Sequence, residues 1–318
     1  MADRTRIRFA CVVSIFAVLL FFVGLEIFSY FYYLIVDGQW KEIEKKPNYF
    51  YRKSDVPGLG YELKPDVNYD DGKNKCQINF SGMRDSEEPI ANAYKIAFLG
   101  DSVAYGMGLD QKKVSTEILK KIMKEKHKGV QILNLGVPGY NLNQITIRFL
   151  REDGLYHFDR AVYLLNLNDF SRINSVYEGA DNGLYRMYNP PVLKSIYFIR
   201  KVFYRWMKRD MVGWYYWLFQ GNWESSKKVL DQLIAYTRDK KIPLDVFILP
   251  SKSGYKNEHY VLHNVTDRIK SYFNSQKINC VDLANYFSEE PTELIDGTDH
   301  LTEKGHARLA NILVKCLL

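Results

Sequence analysis

Polar residues that suit acyl-transfer chemistry stand where predicted strands give way to loops. Ser102 closes Gly-Asp-Ser directly after the apolar run 95–99. The carboxyl ends of parallel strands form the edge of a sheet where ligands bind, and N–H groups at a helix N-terminus stabilise anions there. The position therefore suits a serine nucleophile, and equally a helix N-cap.

A histidine near the C-terminus has the surroundings of a general base. His300 closes Asp-Gly-Thr-Asp-His just before the final predicted helix. A carboxylate on the second imidazole nitrogen would orient such a base and stabilise its cation. Asp296 lies four residues before His300 and Asp299 directly before it. Because adjacent side chains often point apart, we expect Asp296 to be the orienting acid, with Asp299 as the alternative.

Two further loops contain groups that could bind an oxyanion. Gly139 stands in Asn-Leu-Gly-Val-Pro-Gly-Tyr-Asn after the apolar run 130–135, and its backbone N–H is open to close approach. Asn168 stands in Asn-Leu-Asn-Asp after the run 161–165 and carries an amide donor. Taken singly, these residues also suit a Pro-Gly turn and a strand-end cap.

The elements that must position these residues alternate between strands and helices. Strands are predicted at 95–99, 130–135, 161–165, 243–249 and 278–283, and helices at 112–126, 142–151 and 302–316. This alternation predicts a parallel sheet with helices on both faces. The chemistry-bearing residues then share one edge of that sheet.

This arrangement from about residue 94 to 318 resembles the SGNH/GDSL hydrolase family, and 58–65 with 78–85 resembles the lead-in of its membrane-anchored bacterial members. The resemblance implies a three-layer, flavodoxin-like α/β fold with a five-stranded parallel sheet. It implies a Ser102 nucleophile, a His300 base and an Asp296 orienter. An oxyanion hole would combine the N–H groups of Ser102 and Gly139 with the Asn168 side chain.

The sequence departs from the family pattern at two positions. Asn166 stands where the family usually has glycine, two residues before its asparagine. The family acid lies three residues before its histidine, and that position here is Gly297. We expect a turn expanded by one residue to bring Asp296 to His300.

The N-terminus predicts a membrane anchor. Residues 9–25 carry no charge, and the apolar run continues after Glu26 to residue 36, enough to cross a bilayer. Three arginines precede it and three tyrosines follow Glu26, which places the short tail in the cytoplasm and the rest outside it. These residues are Arg4, Arg6, Arg8, Tyr30, Tyr32 and Tyr33.

Three regions are expected along the chain: a tail and transmembrane helix over 1–37, a linker and small β-rich lead-in over 38–93, and an SGNH hydrolase domain over 94–318. The domain carries an aromatic and basic helical insert at about 171–222. Within it, residues 196–209 form a basic amphipathic pattern. This helix could rest on a membrane surface or pack its apolar stripe on the domain.

The predicted function is extracytoplasmic ester hydrolysis through an acyl-serine, on acylated small molecules or glycans. The alternatives are an O-acyltransferase for a cell-surface polysaccharide, a catalytically silent glycan-binding scaffold and a lipid-acting enzyme. The net charge of +7 comes without a nucleic-acid-binding motif, so a membrane or acidic glycan is the expected partner. Four cysteines without a Cys-x-x-Cys pair predict no zinc site, and no cofactor is expected.

Overall fold

The computed structural model describes residues 2–45, 49–70, 74–126, 129–171, 183–256 and 259–317. It divides into two compact units. The smaller unit combines residues 1–46 with 174–209, and the larger combines 47–173 with 210–318. Part of the expected insert, residues 172–182, lies outside the described residues.

A parallel sheet organises the larger unit. Its strands are β5 (Tyr94–Leu99), β6 (Val130–Asn134), β7 (Arg160–Leu165), β8 (Leu244–Ile248) and β11 (Asn279–Asp282), in the order β11-β8-β7-β5-β6. All neighbouring pairs are parallel. The predicted five-stranded sheet is confirmed. In this order ligands bind at the carboxyl edge between β5 and β7, where successive connections leave in opposite directions.

The helices of this unit are α2 (Ser102–Tyr105), α3 (Ser115–Lys126), α4 (Leu142–Tyr156), α7 (Met211–Asp239), α8 (His263–Ser275), α9 (Pro291–Leu294) and α10 (Glu303–Leu317). Helices α3 and α10 pack on each other, as do α4 and α7. Alternate residues of β5, Ile96 and Phe98, share one core with Leu119 of α3 and Leu309 of α10. This alternation follows from the two-residue period of a strand.

Four short strands precede the sheet and belong to the same unit. They pair as two antiparallel hairpins, β1 (Tyr51–Lys53) with β2 (Tyr61–Leu63), and β3 (Val67–Asp70) with β4 (Lys75–Ile78). The hydroxyl of Tyr61 donates to the Pro138 carbonyl at 2.7 Å. Buried Arg84 donates to the carbonyls of Tyr105 and Gly106, just past α2. The lead-in therefore supports the loops that follow β5 and β6. Two further short strands, β9 (Tyr255–Lys256) and β10 (His259–Tyr260), form a third hairpin.

The smaller unit consists of α1 (Ala2–Glu44), α5 (Gly183–Tyr188) and α6 (Lys194–Met207). The expected long apolar N-terminal helix is confirmed. Its span Arg6–Gln39 is long and apolar enough to cross a membrane. Helices α5 and α6 pack against α1, and the apolar stripe of α6 is solvent-exposed.

Candidate active site

The turn from β5 into α2 holds the predicted nucleophile. Gly100 has φ +153°, and a Cβ there would lie 2.6 Å from the Ala104 Cβ and 2.9 Å from the Leu164 carbonyl oxygen. Asp101 caps α2 by accepting from the Val103 N–H at 2.9 Å. Ser102 is the first residue of this short helix. Glycine and the cap thus fix the backbone that presents the Ser102 hydroxyl.

The predicted base reaches this hydroxyl from the far end of the chain. The Nε2 atom of His300 lies 2.8 Å from the Ser102 Oγ. His300 stands in a loop closed by an antiparallel bridge between Ile295 and Leu301. The structure therefore brings together two residues separated by 198 positions, in hydrogen-bond geometry suited to proton transfer.

A hydroxyl occupies the other imidazole nitrogen. Thr298 Oγ1 lies 2.7 Å from the His300 Nδ1 and donates to Asp296 Oδ1 at 2.7 Å. Asp296 Oδ1 also accepts from the Thr298 N–H at 2.7 Å and from the His300 N–H at 3.1 Å. Among the described residues, and contrary to expectation, no hydrogen bond joins the Asp296 carboxylate directly to the imidazole. Its Oδ1 instead accepts from groups of the same loop.

These donors set the charge of Asp296. Burial raises its pKa, but the Thr298 hydroxyl and the N–H groups of Thr298 and His300 outweigh burial, so the pKa lies below its ordinary value. Asp296 is therefore an anion at neutral pH. Its charge reaches His300 through the Thr298 hydroxyl and through the backbone.

The alternative acid, Asp299, faces another part of the unit. Its φ is +63°. One carboxylate oxygen accepts from the hydroxyls of Tyr215 at 2.9 Å and Ser251 at 2.8 Å. The other accepts from the Lys252 N–H at 2.8 Å. Asp299 therefore fastens the histidine loop to α7 and to the loop after β8, and its carboxylate is directed away from the imidazole.

The two predicted oxyanion residues lie in loops at the same sheet edge. Gly139 is exposed in a Pro-Gly turn with φ +78°, as the third residue of a type II turn requires. Two residues earlier, the Val137 N–H donates to the Gly100 carbonyl at 3.3 Å, which ties this loop to the nucleophile turn. Asn168 lies in a short 3-10 helix, Leu167–Phe170, directly after β7.

Two buried carboxyl groups lie behind these residues. Burial raises the pKa of Asp101, and the Val103 N–H, His300 and the Asn168 side chain partly offset this. Burial also raises the pKa of Asp169 well above its ordinary range, with nearby Asp101 adding to the effect. The Asp169 carboxyl accepts from the Tyr163 hydroxyl at 2.8 Å and from the Asn166 N–H at 2.9 Å. The position where the family usually has glycine thus anchors this carboxyl through its backbone.

A second serine–histidine pair lies beside the site. His306 is buried in α10, and its Nδ1 accepts from the Ser115 N–H at 3.2 Å and lies 3.2 Å from the Ser115 Oγ. Burial, with the charges of Arg84 and His300, lowers the pKa of His306 to about 3. This imidazole is neutral, as expected for a structural histidine.

Sequence reasoning missed Thr298 and Arg84 as parts of the site. Thr298 carries the signal of a hydroxyl two residues before the histidine, but only loop closure shows that it faces the imidazole. Arg84 carries no signal for its contact with the turn after α2. Over the described ranges, no group of three His, Cys, Asp or Glu residues is arranged to hold a metal ion.

Several solved structures share similarity with this chain at low sequence identity. TesA is 11% identical with a TM-score of 0.47, over 70% of this chain and 97% of its own. The acetyl xylan esterase AlAXEase is 12% identical with a TM-score of 0.47, over 70% and 100%. A catalytic mutant of Axe2, an acetylxylan esterase from Geobacillus stearothermophilus, is 14% identical with a TM-score of 0.46, over 72% and 95%.

A comparison with curated protein sequences found no match. The sequence model of the GDSL-like lipase/acylhydrolase family matches residues 98–308. This range comprises most of the chain and runs from the strand before Ser102 to beyond His300. The chain therefore belongs to the GDSL-like lipase/acylhydrolase family.

Proposed function

We propose that this protein is a serine ester hydrolase that forms an acyl intermediate on Ser102. Family membership supports ester hydrolysis. The observation that carries the serine mechanism is the 2.8 Å contact between Ser102 Oγ and His300 Nε2. A nucleophile and a base within hydrogen-bond reach, with a third group on the base, form the arrangement that activates a serine hydroxyl.

The hydrogen bonds of Thr298 support one tautomer of His300, with the proton on Nδ1. Its hydroxyl hydrogen is donated to Asp296, so its oxygen is left to accept from His300 Nδ1–H. Nε2 then has a free lone pair facing the Ser102 hydroxyl. In this tautomer His300 can remove the serine proton as Ser102 Oγ attacks the ester carbonyl carbon.

The tetrahedral intermediate carries its negative charge on the former carbonyl oxygen. We assign its stabilisation to the N–H groups of Ser102 and Gly139 and to the side-chain amide of Asn168. The Asp101 carboxyl contacts both the Ser102 hydroxyl and the Asn168 side chain. The Asn168 amide therefore lies close to the nucleophile, which supports this assignment. Preorganised donors at the position of the oxyanion contribute strongly to acyl-transfer catalysis.

Breakdown of the intermediate completes the first half-reaction. The bond from the carbonyl carbon to the alcohol oxygen breaks, and His300 Nε2–H gives its proton to the leaving alcohol. A water molecule then attacks the carbonyl carbon of the acyl-Ser102 with His300 again as base. The bond from that carbon to Ser102 Oγ breaks, His300 Nε2–H returns its proton to Oγ, and the acid is released. The hydroxyl of a sugar acceptor would be activated by the same atoms and would give transfer instead of hydrolysis.

We further propose that α1 anchors the catalytic unit outside the cytoplasm. The apolar span Arg6–Gln39 supports a single pass, and the arginines before it support a cytoplasmic N-terminus. Alkaline phosphatase fused after residue 318 should be active in a bacterial host, and a cytoplasmic reporter at the same position should be silent. The reverse pattern would contradict this topology.

Turnover of p-nitrophenyl acetate by the full-length protein tests the serine mechanism. Wild type should release p-nitrophenol, and Ser102→Ala should not release it above the uncatalysed rate. Product analysis with and without an added oligosaccharide separates hydrolysis from transfer. Unchanged turnover in Ser102→Ala would refute the proposal.

A further inference from the structure

Helix α6 lies along the second half of the apolar span of α1. The ring of Phe198 contacts those of Phe28 and Tyr32 with centroids 5.2 and 5.0 Å apart. The rings of Tyr197 and Tyr33 lie 5.6 Å apart. The first half of the span, by contrast, has exposed side chains. Helix α6 therefore follows α1 from about the level of residue 28 toward its C-terminal end.

The charge in the middle of the span is used to hold α6. The two carboxylate oxygens of Glu26 accept from the N–H groups of Lys194 and Ser195, at 2.7 and 2.8 Å. These are the first N–H groups of α6, which have no partner within their own helix. Glu26 is thus satisfied at a depth where an unpaired carboxylate is costly.

A buried ion pair fixes the other end of the contact. The carboxylate of Asp37 accepts from Arg186 of α5 at 3.0 Å and lies 3.6 Å from the Lys201 Nζ. All three side chains are almost fully buried. Breaking such a pair leaves an uncompensated buried charge. The orientation of α6 about its own axis is therefore fixed.

This orientation turns a row of apolar side chains away from α1. Ile196, Ile199, Val202 and Trp206 are 41–60% exposed. They fall three or four residues apart and so share one side of the helix. Helix α6 contains no acidic residue, and Arg205 and Arg209 beside the row are exposed. An apolar row with exposed arginines beside it matches the boundary between acyl chains and anionic headgroups.

The length of α1 places this row at that boundary. The span of 34 residues measures about 50 Å as a helix, against about 30 Å for the hydrocarbon core. The uncharged first half fills most of the core, so the second half, with α6 beside it, lies near the far membrane surface. The exposed row of α6 continues the lipid-facing surface of α1.

We propose that α6 is a second membrane-contacting element at the extracytoplasmic membrane surface, with Ile196 and Ile199 against lipid acyl chains and Val202 and Trp206 at the boundary with the headgroups. The inference rests on the proposed anchoring of α1. It adds a lipid-contacting surface from a segment far from the N-terminus. The partner is an anionic phospholipid surface.

Fluorescence quenching in lipid nanodiscs tests this inference on the full-length protein. The exposed cysteines, Cys11 and Cys316, are replaced by serine, and an environment-sensitive fluorophore is attached in turn to Ile199→Cys, Phe16→Cys and Arg205→Cys. Nanodiscs contain phosphatidylglycerol with phosphatidylcholine, with or without doxyl-labelled acyl chains. The probe at 199 should lose about half of its emission, as should the probe at 16, and the probe at 205 should lose much less.

Other outcomes identify which claim fails. Quenching at 16 without quenching at 199 would overturn the α6 inference and leave the anchor intact. Absence of quenching at 16 would overturn the anchor itself. A probe at 199 that is shielded from aqueous iodide but unaffected by doxyl lipid would show that protein, such as a second copy of the chain, covers the row, and this would also overturn the inference.

Discussion

Two serine–histidine pairs involve histidines six residues apart in the sequence, His300 and His306, and only the first has the geometry that the proposed mechanism requires. In the first pair, Nε2 of His300 faces Ser102 Oγ at 2.8 Å while Nδ1 contacts Thr298. In the second, Nδ1 of His306 accepts the Ser115 N–H at 3.2 Å. The His306 lone pair is thus already committed to a backbone donor, and burial lowers its pKa to about 3.

The difference shows which conditions a serine–histidine contact must meet for the histidine to act as a general base. The base must keep a free lone pair toward the hydroxyl, and its second nitrogen must be held by a group that fixes the proton there. Ser102 and His300 meet these conditions at the carboxyl edge of the sheet. Ser115 and His306 instead join α3 to α10. Substitutions at the two pairs should therefore separate activity from stability.

The same substitution at both histidines gives the largest expected contrast. His300→Asn should lower kcat for p-nitrophenyl acetate by about a thousandfold, because an amide cannot accept the serine proton. His306→Asn should leave kcat within about twofold, because its amide oxygen can still accept from the Ser115 N–H. Comparable losses in both variants would contradict the distinction between the pairs.

Substitution of Asp296 measures how far its charge matters to His300. Asp296→Asn keeps an acceptor for the loop donors and removes the charge, and should lower kcat by about tenfold. Asp296→Ala also removes the acceptor that shapes the loop, and should cost about a hundredfold. Steady-state kinetics of the two variants decides. A loss near ten-thousandfold in Asp296→Asn, as for a carboxylate directly on the imidazole, would contradict the Thr298-mediated arrangement.

Thr298 should contribute less than Asp296, since its side chain is exposed and water can replace the hydroxyl. Thr298→Val preserves the shape and should lower kcat by about five- to tenfold with little change in KM. Thr298→Ser should restore most of the wild-type rate. A defect in Thr298→Ser together with a wild-type rate in Thr298→Val would indicate that the methyl group, and not the hydroxyl, is required.

The His306 pair should show its effect in the pH dependence of stability. The unfolded chain protonates this histidine near pH 6.5, whereas the folded chain does so only near pH 3. Between these pH values the unfolded state therefore binds one more proton than the folded state. The free energy of unfolding then decreases as the pH falls, by up to about 1.4 kcal/mol per pH unit.

His306→Asn removes this contribution. The decrease in unfolding midpoint between pH 7 and pH 5, measured in detergent micelles, should be smaller in His306→Asn than in wild type, with Ser115→Ala as a control that keeps the histidine. An unchanged pH dependence in His306→Asn would show that His306 is not the group responsible.

Sequence patterns predicted the strand ends that carry the proposed site. Ser102, Gly139 and Asn168 each follow a strand that the apolar pattern predicts, and a parallel sheet brings such strand ends to one edge. The role of Asp299 could not be predicted this way, because its partners Tyr215 and Ser251 lie 84 and 48 residues away. Thr298 depends on a loop conformation that the Ile295–Leu301 bridge closes.

The same limit applies to the smaller unit. The apolar N-terminal run and the amphipathic pattern of 196–209 are visible in the sequence. The sequence does not show that the N–H groups of Lys194 and Ser195 satisfy Glu26, at separations of 168 and 169 residues. The polar residue that interrupts the predicted span turns out to be the attachment point of α6.

Covalent labelling tests the central claim most directly. The full-length protein is treated with a fluorophosphonate, digested, and analysed by mass spectrometry for the modified serine. The mechanism predicts a single label on Ser102, with Ser115 unmodified, and loss of the label in Ser102→Ala but not in Ser115→Ala. A folded wild-type protein that remains unlabelled, or a label that persists in Ser102→Ala, would contradict it.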